Sequence, residues 1–431
     1  VYKRQVQNGS VGNWILLAVG VAVLAWTGAI VQGGFVLDDR EAVFENAVVR
    51  GDLPIAEAFR RDYWHHKGDA GHYRPLATLT LRMDHALWGG KAAGYHVTNL
   101  VLHALVVALL GLVIARIPGA PRWALFGLLV FAAHPVLADS VAWISGRTSM
   151  LCAVGGQLAC LAFLTARGWP LAVLVVALGL LLGLFGKEDA IVFALPILLL
   201  ALTRGRSFRV AAAGGIVLAL GLYLVLRQNA LGHALPSAPH APLASLSWMD
   251  RLVFAGRGLL EGGRLVFFPR AYPPTYRMAL GFHAASPPGT WALLGWLPWL
   301  ALVLGGGAAA LSGIVRRQPG RTLVGCSLAT AALSLLPVLQ IVPAGEVFAP
   351  RFLYLPLLFA VPAMGALLRL LPRVVLVLLV GLLVVLAWER AAVYAGPESW
   401  NGEVLAHVPD DVGALNDWGI ERERIGDKEG A

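Results

Sequence analysis

Two neighbouring carboxylates, Asp38 and Asp39, follow directly after the first long apolar segment of the chain. A carboxylate in that position stands at a membrane surface, where it can take a proton from a hydroxyl group that attacks a membrane-bound substrate. An acidic pair is also typical of the solvated start of a loop, so other groups must support a catalytic role. We predict Asp39 as the first candidate for a general base and Asp38 as the second.

Charged and polar side chains also stand at or near the ends of later apolar segments. Carboxylates can remove protons, and arginine guanidinium groups form paired hydrogen bonds with phosphate. This combination suits sugar transfer from a phosphate carrier. The candidate substrate-binding residues are Arg74, His96, Asp139, Arg147, Lys187, Glu188, Arg351 and Tyr354.

Some of these residues have a simpler structural explanation. His96, Asn99 and His103 are three and four residues apart, so they share one helix face and can form hydrogen bonds between helices. Lys187 and Glu188 can neutralise each other at a helix boundary.

The composition predicts the elements that must position these groups. Hydrophobic residues make up 58% of the 431-residue chain and charged residues 14%, whereas soluble domains carry roughly 25% charged residues. The chain is therefore predicted to be an all-α polytopic membrane protein. The net charge of +9 comes from scattered basic residues, which excludes a nucleic-acid partner. The cysteines Cys152, Cys160 and Cys326 have no metal-ligand spacing.

Apolar runs of transmembrane length predict about eleven spans. Short loops that contain arginine alternate with loops that contain the carboxylates, so we predict that the arginine loops are cytoplasmic. The segment 251–268 is interrupted by charges and is predicted to lie in the interface or to line a cavity. The predicted spans begin near Asn13, Tyr95, Trp123, Ser149, Trp169, Asp189, Phe208, Pro288, Thr322, Phe352 and Arg373.

Three regions follow from this organisation. Residues 1–12 are predicted to be an N-terminal fragment of uncertain structure. Residues 13–392 form the transmembrane domain, with a large first extracytoplasmic loop at 33–94. Residues 393–431 are more polar and predict short helices.

The residues resemble the transmembrane and tetratricopeptide-repeat O-mannosyltransferases, which are multi-span glycosyltransferases of the GT-C class. The tail SWNGEVLAHVPDDVGALNDWG is similar to the start of the tetratricopeptide repeats in that family. The chain departs from the family pattern at Pro350, where an acidic residue is usual and Glu346 is a candidate substitute, and in the segment FFPRAYPPTY. The matching segments are FVLDD with the later Asn46, YRPLATLTL, GYHVTNLVLHAL, HPVLADSVAWISGR, GKED and RFLYLP.

The resemblance implies a GT-C-like bundle in a bacterial inner membrane, with the active loops and the tail extracytoplasmic. The donor would be a polyprenyl phosphate sugar, with mannose expected, and the acceptor a protein Ser or Thr hydroxyl. Transfer would proceed with inversion, and Arg147 or Arg351 would neutralise the leaving phosphate. Asp139 would position the acceptor or hold a divalent cation. The candidate metal ligands are Asp38, Asp39 and Asp139, and the residues do not decide whether a metal is used.

Three other functions compatible with the sequence remain open. A transporter would place charges near the membrane midplane and contain paired broken helices. A non-catalytic membrane protein would use the tail to recruit partners for assembly. A glycosyltransferase with a glycan or lipid acceptor would share the same residues.

Overall fold

The architecture consists of helices joined by short turns. The computed structural model describes residues 2–65, 71–234, 243, 245–276, 288–339 and 347–424, with side chains from residue 11 to residue 423. These residues include no β-strand, which confirms the predicted all-α class. Glu346 and residues 425–431 of the predicted tail lie outside the described residues.

Eight helices of at least seven residues are described in the first half, and most of them follow the predicted apolar runs, because a continuous apolar helix satisfies its own backbone in lipid. They are α1 (Tyr2–Gln32), α2 (Pro75–Trp88), α3 (Ala92–Arg116), α4 (Gly127–Ala133), α5 (Arg147–Thr165), α6 (Trp169–Gly186), α7 (Ala194–Ala201) and α8 (Arg206–Leu231).

The second half contains one charged amphipathic helix, four apolar helices and the two helices of the tail. They are α9 (Trp248–Phe267), α10 (Trp296–Val315), α11 (Pro319–Leu333), α12 (Tyr354–Leu368), α13 (Arg373–Ala392), α14 (Pro397–His407) and α15 (Val412–Arg424).

Shorter helical turns connect the long helices. The segment Glu41–Glu45 is π-helical, and Ala47–Arg50 and Ala138–Val141 are single α-helical turns. The 3₁₀ turns are Ile55–Phe59, Arg122–Phe126, Pro135–Leu137, Glu188–Phe193, Thr290–Gly295, Leu336–Val338 and Pro350–Leu353.

The protein is an integral membrane protein. Within the described residues, nine helical segments are long and apolar enough to cross a membrane, and a tenth arises if the bent pair Arg122–Ala133 and Pro135–Val141 counts as one span. The prediction of about eleven spans counted one more, which begins near Asp189. That segment forms only the short helices Glu188–Phe193 and α7, which are below transmembrane length.

This short segment nevertheless returns the chain to the end from which α6 started. The guanidinium group of Arg204 donates to the carbonyl oxygens of Phe163 and Ala166, at 2.6 and 2.8 Å. Since Ala166 lies between the end of α5 and the start of α6, residue 204 is level with the start of α6. The alternation of loops predicted from charge is therefore preserved.

Small residues allow several helices to pack closely. A Cβ atom added at Gly155 in α5 would collide with the backbone of Gly183 in α6. The same is true of Gly127 at the start of α4 and the carbonyl oxygen of Val361 in α12. Such small-residue contacts are the usual means of helix association in lipid.

A fully buried ion pair joins the first loop to the bundle. Arg147 Nη1 lies 2.6 Å from Asp84 Oδ2, and both side chains are 0% exposed. Thr98 also donates to Asp84, and Arg147 donates to the carbonyl oxygens of Ile144 and Tyr95. These contacts connect α2, α3 and α5.

We expect Arg147→Met to lower the free energy of unfolding by about 3–5 kcal/mol, because it leaves the Asp84 carboxylate buried without a counter-charge. The double variant Asp84→Leu/Arg147→Met should recover most of this loss. Thermal unfolding in detergent measures both effects. Equal destabilisation by the single and the double variant would contradict the electrostatic explanation.

Candidate active site

The first loop begins with a constrained turn around Asp39. Asp39 Oδ1 accepts hydrogen bonds from the backbone amide and the hydroxyl of Ser145, at 2.8 and 2.6 Å, and Oδ2 accepts one from the amide of Val36 at 3.2 Å. Leu37 has φ of +50°, which is rare for a bulky residue. The contacts of Asp39 on both sides of this turn hold the strained backbone in place.

The two predicted carboxylates have different environments. Asp39 is fully buried and both of its oxygens are engaged, whereas Asp38 is only partly buried. Burial, which outweighs the hydrogen bonds from Ser145 and Val36, raises the pKa of Asp39 to about 7. The structure thus gives Asp39 the contacts of a positioning residue and leaves Asp38 on the more accessible side of the turn.

The second carboxylate segment carries Asp139, which joins three parts of the chain. Its Oδ2 accepts from the backbone amide and from the guanidinium group of Arg351, both at 3.1 Å, and its Oδ1 accepts from the hydroxyl of Tyr394 at 3.3 Å. The carbonyl oxygen of Tyr394 also accepts a hydrogen bond from the amide of Gly34, at 3.0 Å. The segment after α13 therefore contacts both carboxylate segments.

Two cations lie close to the ring of Phe352. The guanidinium carbon of Arg351 lies 5.8 Å from the ring centroid, and Lys187 Nζ lies 5.8 Å from the same centroid. Arg351 also lies 5.2 Å from the ring of Trp143, and Lys187 pairs with Asp189 at 2.5 Å. Arg351 pairs with Asp139 and Lys187 pairs with Asp189, and both cations lie near the ring of Phe352.

A third group of charges surrounds Glu188. Arg74 donates to Glu188 Oε2 from Nε and Nη2, at 3.1 and 3.0 Å. Arg227 lies 3.7 Å from Glu188 Oε1, and His72 Nδ1 lies 3.8 Å from the same oxygen. Arg74 and Glu188 are therefore brought together, on the same end of the bundle as Lys187.

An apolar cavity of about 520 Å³ lies between α9, α10, α11, α12 and α13. Its wall includes Phe352 at one end of α12 and Leu368 at the other, which are roughly 24 Å apart along a helix. The helix α9 contributes Phe254, Leu259 and Gly263. Of the two placements predicted for the charged segment 251–268, the interface or the wall of a cavity, the structure shows the second.

Three predicted site residues lie elsewhere. Arg147 is fully buried in its pair with Asp84. The hydroxyl of Tyr354 lies 3.0 Å from His103 Nδ1 inside the bundle. His96 is buried, with Nε2 3.3 Å from the carbonyl oxygen of Gly34. These contacts bury the three side chains, and their substrate-binding roles stay predictions.

Four residues of the site were not predicted from the sequence. Ser145 and Trp143 contact Asp39 and Arg351, and both fall within the segment HPVLADSVAWISGR that carries the resemblance. Phe352 and Tyr394 carry no charge and stand inside or after apolar runs. The position of Phe352 directly after Arg351 was the available signal, whereas Tyr394 had none.

The candidate metal ligands are not assembled into a cation site. Asp39 bonds Ser145 and Val36, and Asp139 bonds Arg351 and Tyr394. A divalent cation takes six or more oxygen ligands or keeps several waters. Over the described part of the chain, groups of three or more His, Cys, Asp or Glu side chains that could hold a metal do not occur.

Comparison with known proteins supports the resemblance drawn from the motifs. The chain is 35% identical over 159 residues to mouse protein O-mannosyl-transferase TMTC4, covering 33% of this chain and 22% of that protein. It is 35% identical over 191 residues to Tmtc2 of Drosophila melanogaster, covering 41% of this chain and 20% of that protein. The chain is similar to the TMTC O-mannosyl-transferases.

The similarity is partial in length. With mouse TMTC3, the identity is 32% over 143 residues, which cover 31% of this chain and 15% of that protein. The chain thus spans about a fifth of the length of the TMTC relatives that it matches. No protein-family model matches the chain, and no solved structure matches it.

The raised pKa of Asp39 predicts a pH dependence of stability. Because an unfolded Asp titrates near 3.8 and the buried one near 7, wild-type stability should fall as the pH rises between these values, by about 1.4 kcal/mol per pH unit at most. Asp39→Asn should flatten this dependence in thermal unfolding scans between pH 4 and pH 8. Asp52→Asn, at an exposed loop acid, should not. Parallel curves for wild type and Asp39→Asn would contradict the prediction.

Proposed function

We propose that this chain is the transmembrane part of a glycosyltransferase that moves a sugar, with mannose expected, from a polyprenyl phosphate to a hydroxyl of a protein Ser or Thr. The names of the TMTC relatives support sugar transfer to protein. The observation that carries the donor class is the meeting of the apolar cavity with Arg351 and Lys187 at Phe352.

A lipid-linked phosphate has an apolar chain and an anionic head. The cavity is lined almost entirely by apolar side chains and follows the full length of α12, as an isoprenoid chain would require. Arg351 and Lys187 stand at one end of it, where they can neutralise a phosphate that emerges from the cavity. A soluble nucleotide sugar has no long apolar chain that could occupy the apolar cavity.

The reaction proposed at this end is direct displacement. The acceptor oxygen attacks the anomeric carbon, the bond from that carbon to the phosphate oxygen breaks, and the phosphate leaves with the electron pair. Asp38 takes the hydroxyl proton, and Asp39 holds the turn that presents Asp38. Attack on the face opposite the phosphate inverts the anomeric centre.

Charge stabilisation of the leaving group is assigned to Arg351 and Lys187. Arg351 is held by Asp139, which is itself held by Tyr394, so its guanidinium group is oriented before the donor binds. Arg147 has no part in this step, because Asp84 engages it inside the bundle. Asp139 is proposed as a positioning residue of Arg351.

The reaction is proposed to take place on the extracytoplasmic side of the membrane. The arginine loops at residues 116–122, 166–169, 204–206, 316–321 and 369–373 would be cytoplasmic, since lysine and arginine are retained on that side. The carboxylates would then act on the extracytoplasmic side, where a translocated polypeptide presents its Ser and Thr residues.

Transfer assays with the full-length protein in liposomes test the reaction and its base. With polyprenyl phosphate [³H]mannose and Ser/Thr-containing peptides, Asp38→Asn should lower kcat by roughly 100-fold or more, because proton removal contributes that much. Asp52→Asn, in the same loop, is the matched control and should keep full activity.

Three results of these assays would change the proposed base, the proposed acceptor or the proposed reaction. Loss in Asp39→Asn with full activity in Asp38→Asn would make Asp39 the base. Transfer to glycans but not to peptides would change the acceptor class. If folded wild-type protein transfers no mannose or other sugar to any acceptor, the glycosyltransferase proposal is wrong.

Donor chain length tests the cavity. Gly263 lines it, and a Cβ at this position meets no atom within 4 Å. Gly263→Leu should therefore raise KM by roughly tenfold, about 1.4 kcal/mol, for a long-chain donor and much less for a donor with a single isoprene unit.

Gly221→Leu is the matched control, because Gly221 also has open space around it but lies in α8, away from the cavity. It should leave both KM values unchanged. An equal rise in KM for long and short donors in Gly263→Leu would contradict a lipid role for the cavity.

A further inference from the structure

A second cleft lies at the opposite end of the bundle from the carboxylates. It has a volume of about 510 Å³ and is formed where the turn before α4, the α10–α11 turn and the end of α12 meet. Its lining includes Pro121, Trp123, Gln318, Gly320, Arg321 and Arg369. The catalytic proposal uses none of these residues.

The charge at this end is of one sign. The segments 112–126, 160–172, 198–212, 310–325 and 364–377 contain eleven arginines and no Asp or Glu. In the cleft, the guanidinium carbon of Arg369 lies 4.8 Å from the ring centroid of Trp123. Within the described residues, the side chains of Arg321 and Arg369 form no ion pair or hydrogen bond. The cleft therefore offers two cations to an anion.

The walls of the cleft are held in place by short backbone contacts. The amide of Gln318 donates to the carbonyl oxygen of Gly313 at 2.7 Å, which closes the α10–α11 turn. Arg317 has φ of +55° in this turn, a conformation that persists only where surrounding contacts enforce it. A Cβ at Gly119 would touch Pro319, so the turns before α4 and α11 are in contact.

Exposed apolar side chains lie at the same end of the helices as the cleft. Ile314 and Val315 at the end of α10 are 57% and 74% exposed, and Leu367 and Leu370 near the end of α12 are 67% and 72% exposed. In a membrane-spanning bundle these side chains face acyl chains. An anion bound between Arg321 and Arg369 would thus lie at the same end of the bundle as these exposed apolar side chains.

We propose that this cleft binds the phosphate headgroup of an anionic phospholipid in the leaflet at the arginine-rich end. Basic pockets between transmembrane helices are a known form of headgroup site. Arg321 and Arg369 would contact the phosphate, Trp123 would pack at the headgroup level, and the acyl chains would lie against α10 and α12. Because Arg321 belongs to α11 and Arg369 follows α12, the lipid bridges two of the helices that enclose the apolar cavity.

Lipid titration of the full chain in neutral detergent tests this site. Native mass spectrometry and thermal unfolding should show that phosphatidylglycerol binds and raises Tm, whereas phosphatidylcholine does not raise it. The double variant Arg321→Gln/Arg369→Gln should weaken phosphatidylglycerol binding by tenfold or more. Its Tm in phosphatidylcholine should equal that of wild type, which shows that the variant is folded.

The matched control is Arg206→Gln/Arg209→Gln, which removes two exposed arginines at the same end but outside the cleft. It should bind phosphatidylglycerol as tightly as wild type. An equal loss in the control would show attraction to the whole arginine-rich end and would overturn the cleft as the site. If inorganic phosphate without lipid raises Tm as much as phosphatidylglycerol does, the site takes a soluble anion and the lipid proposal is wrong.

Discussion

The ion pair between Asp84 and Arg147 is the constraint on which the carboxylate end of this protein depends. Both side chains are fully buried, so removing one charge would leave the other buried without a counter-charge and would destabilise the fold. Arg147 begins α5, and the turn before it carries Trp143 and Ser145, which contact Arg351 and Asp39. Asn99 donates to the carbonyl oxygens of Val141 and Trp143 in the same turn. Through this turn, one buried pair fixes the positions of both carboxylate segments.

The bundle presents different chemistry at its two ends. At one end, carboxylates and cations are paired with each other, and Arg351 and Lys187 lie near Phe352, which lines an apolar cavity. At the other, the loops contain arginines without acidic residues. The helix α12 connects these ends, because Arg351 and Phe352 precede it and Arg369 follows it. The helix that connects the two ends therefore also borders the apolar cavity.

Apolar runs were sufficient to predict the class and most of the spans, because lipid exposure imposes length and composition on each helix separately. The segment after Asp189 was the exception. Its composition matches that of a single span. The chain instead turns at Lys187 and returns to Arg204 through two successive helices, each below transmembrane length. The length of a helix within a folded bundle depends on its packing against neighbouring helices, and composition alone does not contain that information.

The sequence by itself determined the membrane class, the charged character of the segment 251–268 and the residue types available for chemistry, since these follow from local composition and spacing. Only the tertiary structure decided which charges meet. It paired Arg147 with Asp84, placed Arg351 and Lys187 each 5.8 Å from the ring centroid of Phe352, and brought Tyr394 to Asp139. Apart from the neighbours Arg351 and Phe352, these partners are far apart in the chain, and a buried charge takes whichever counter-charge the packing of helices brings within reach.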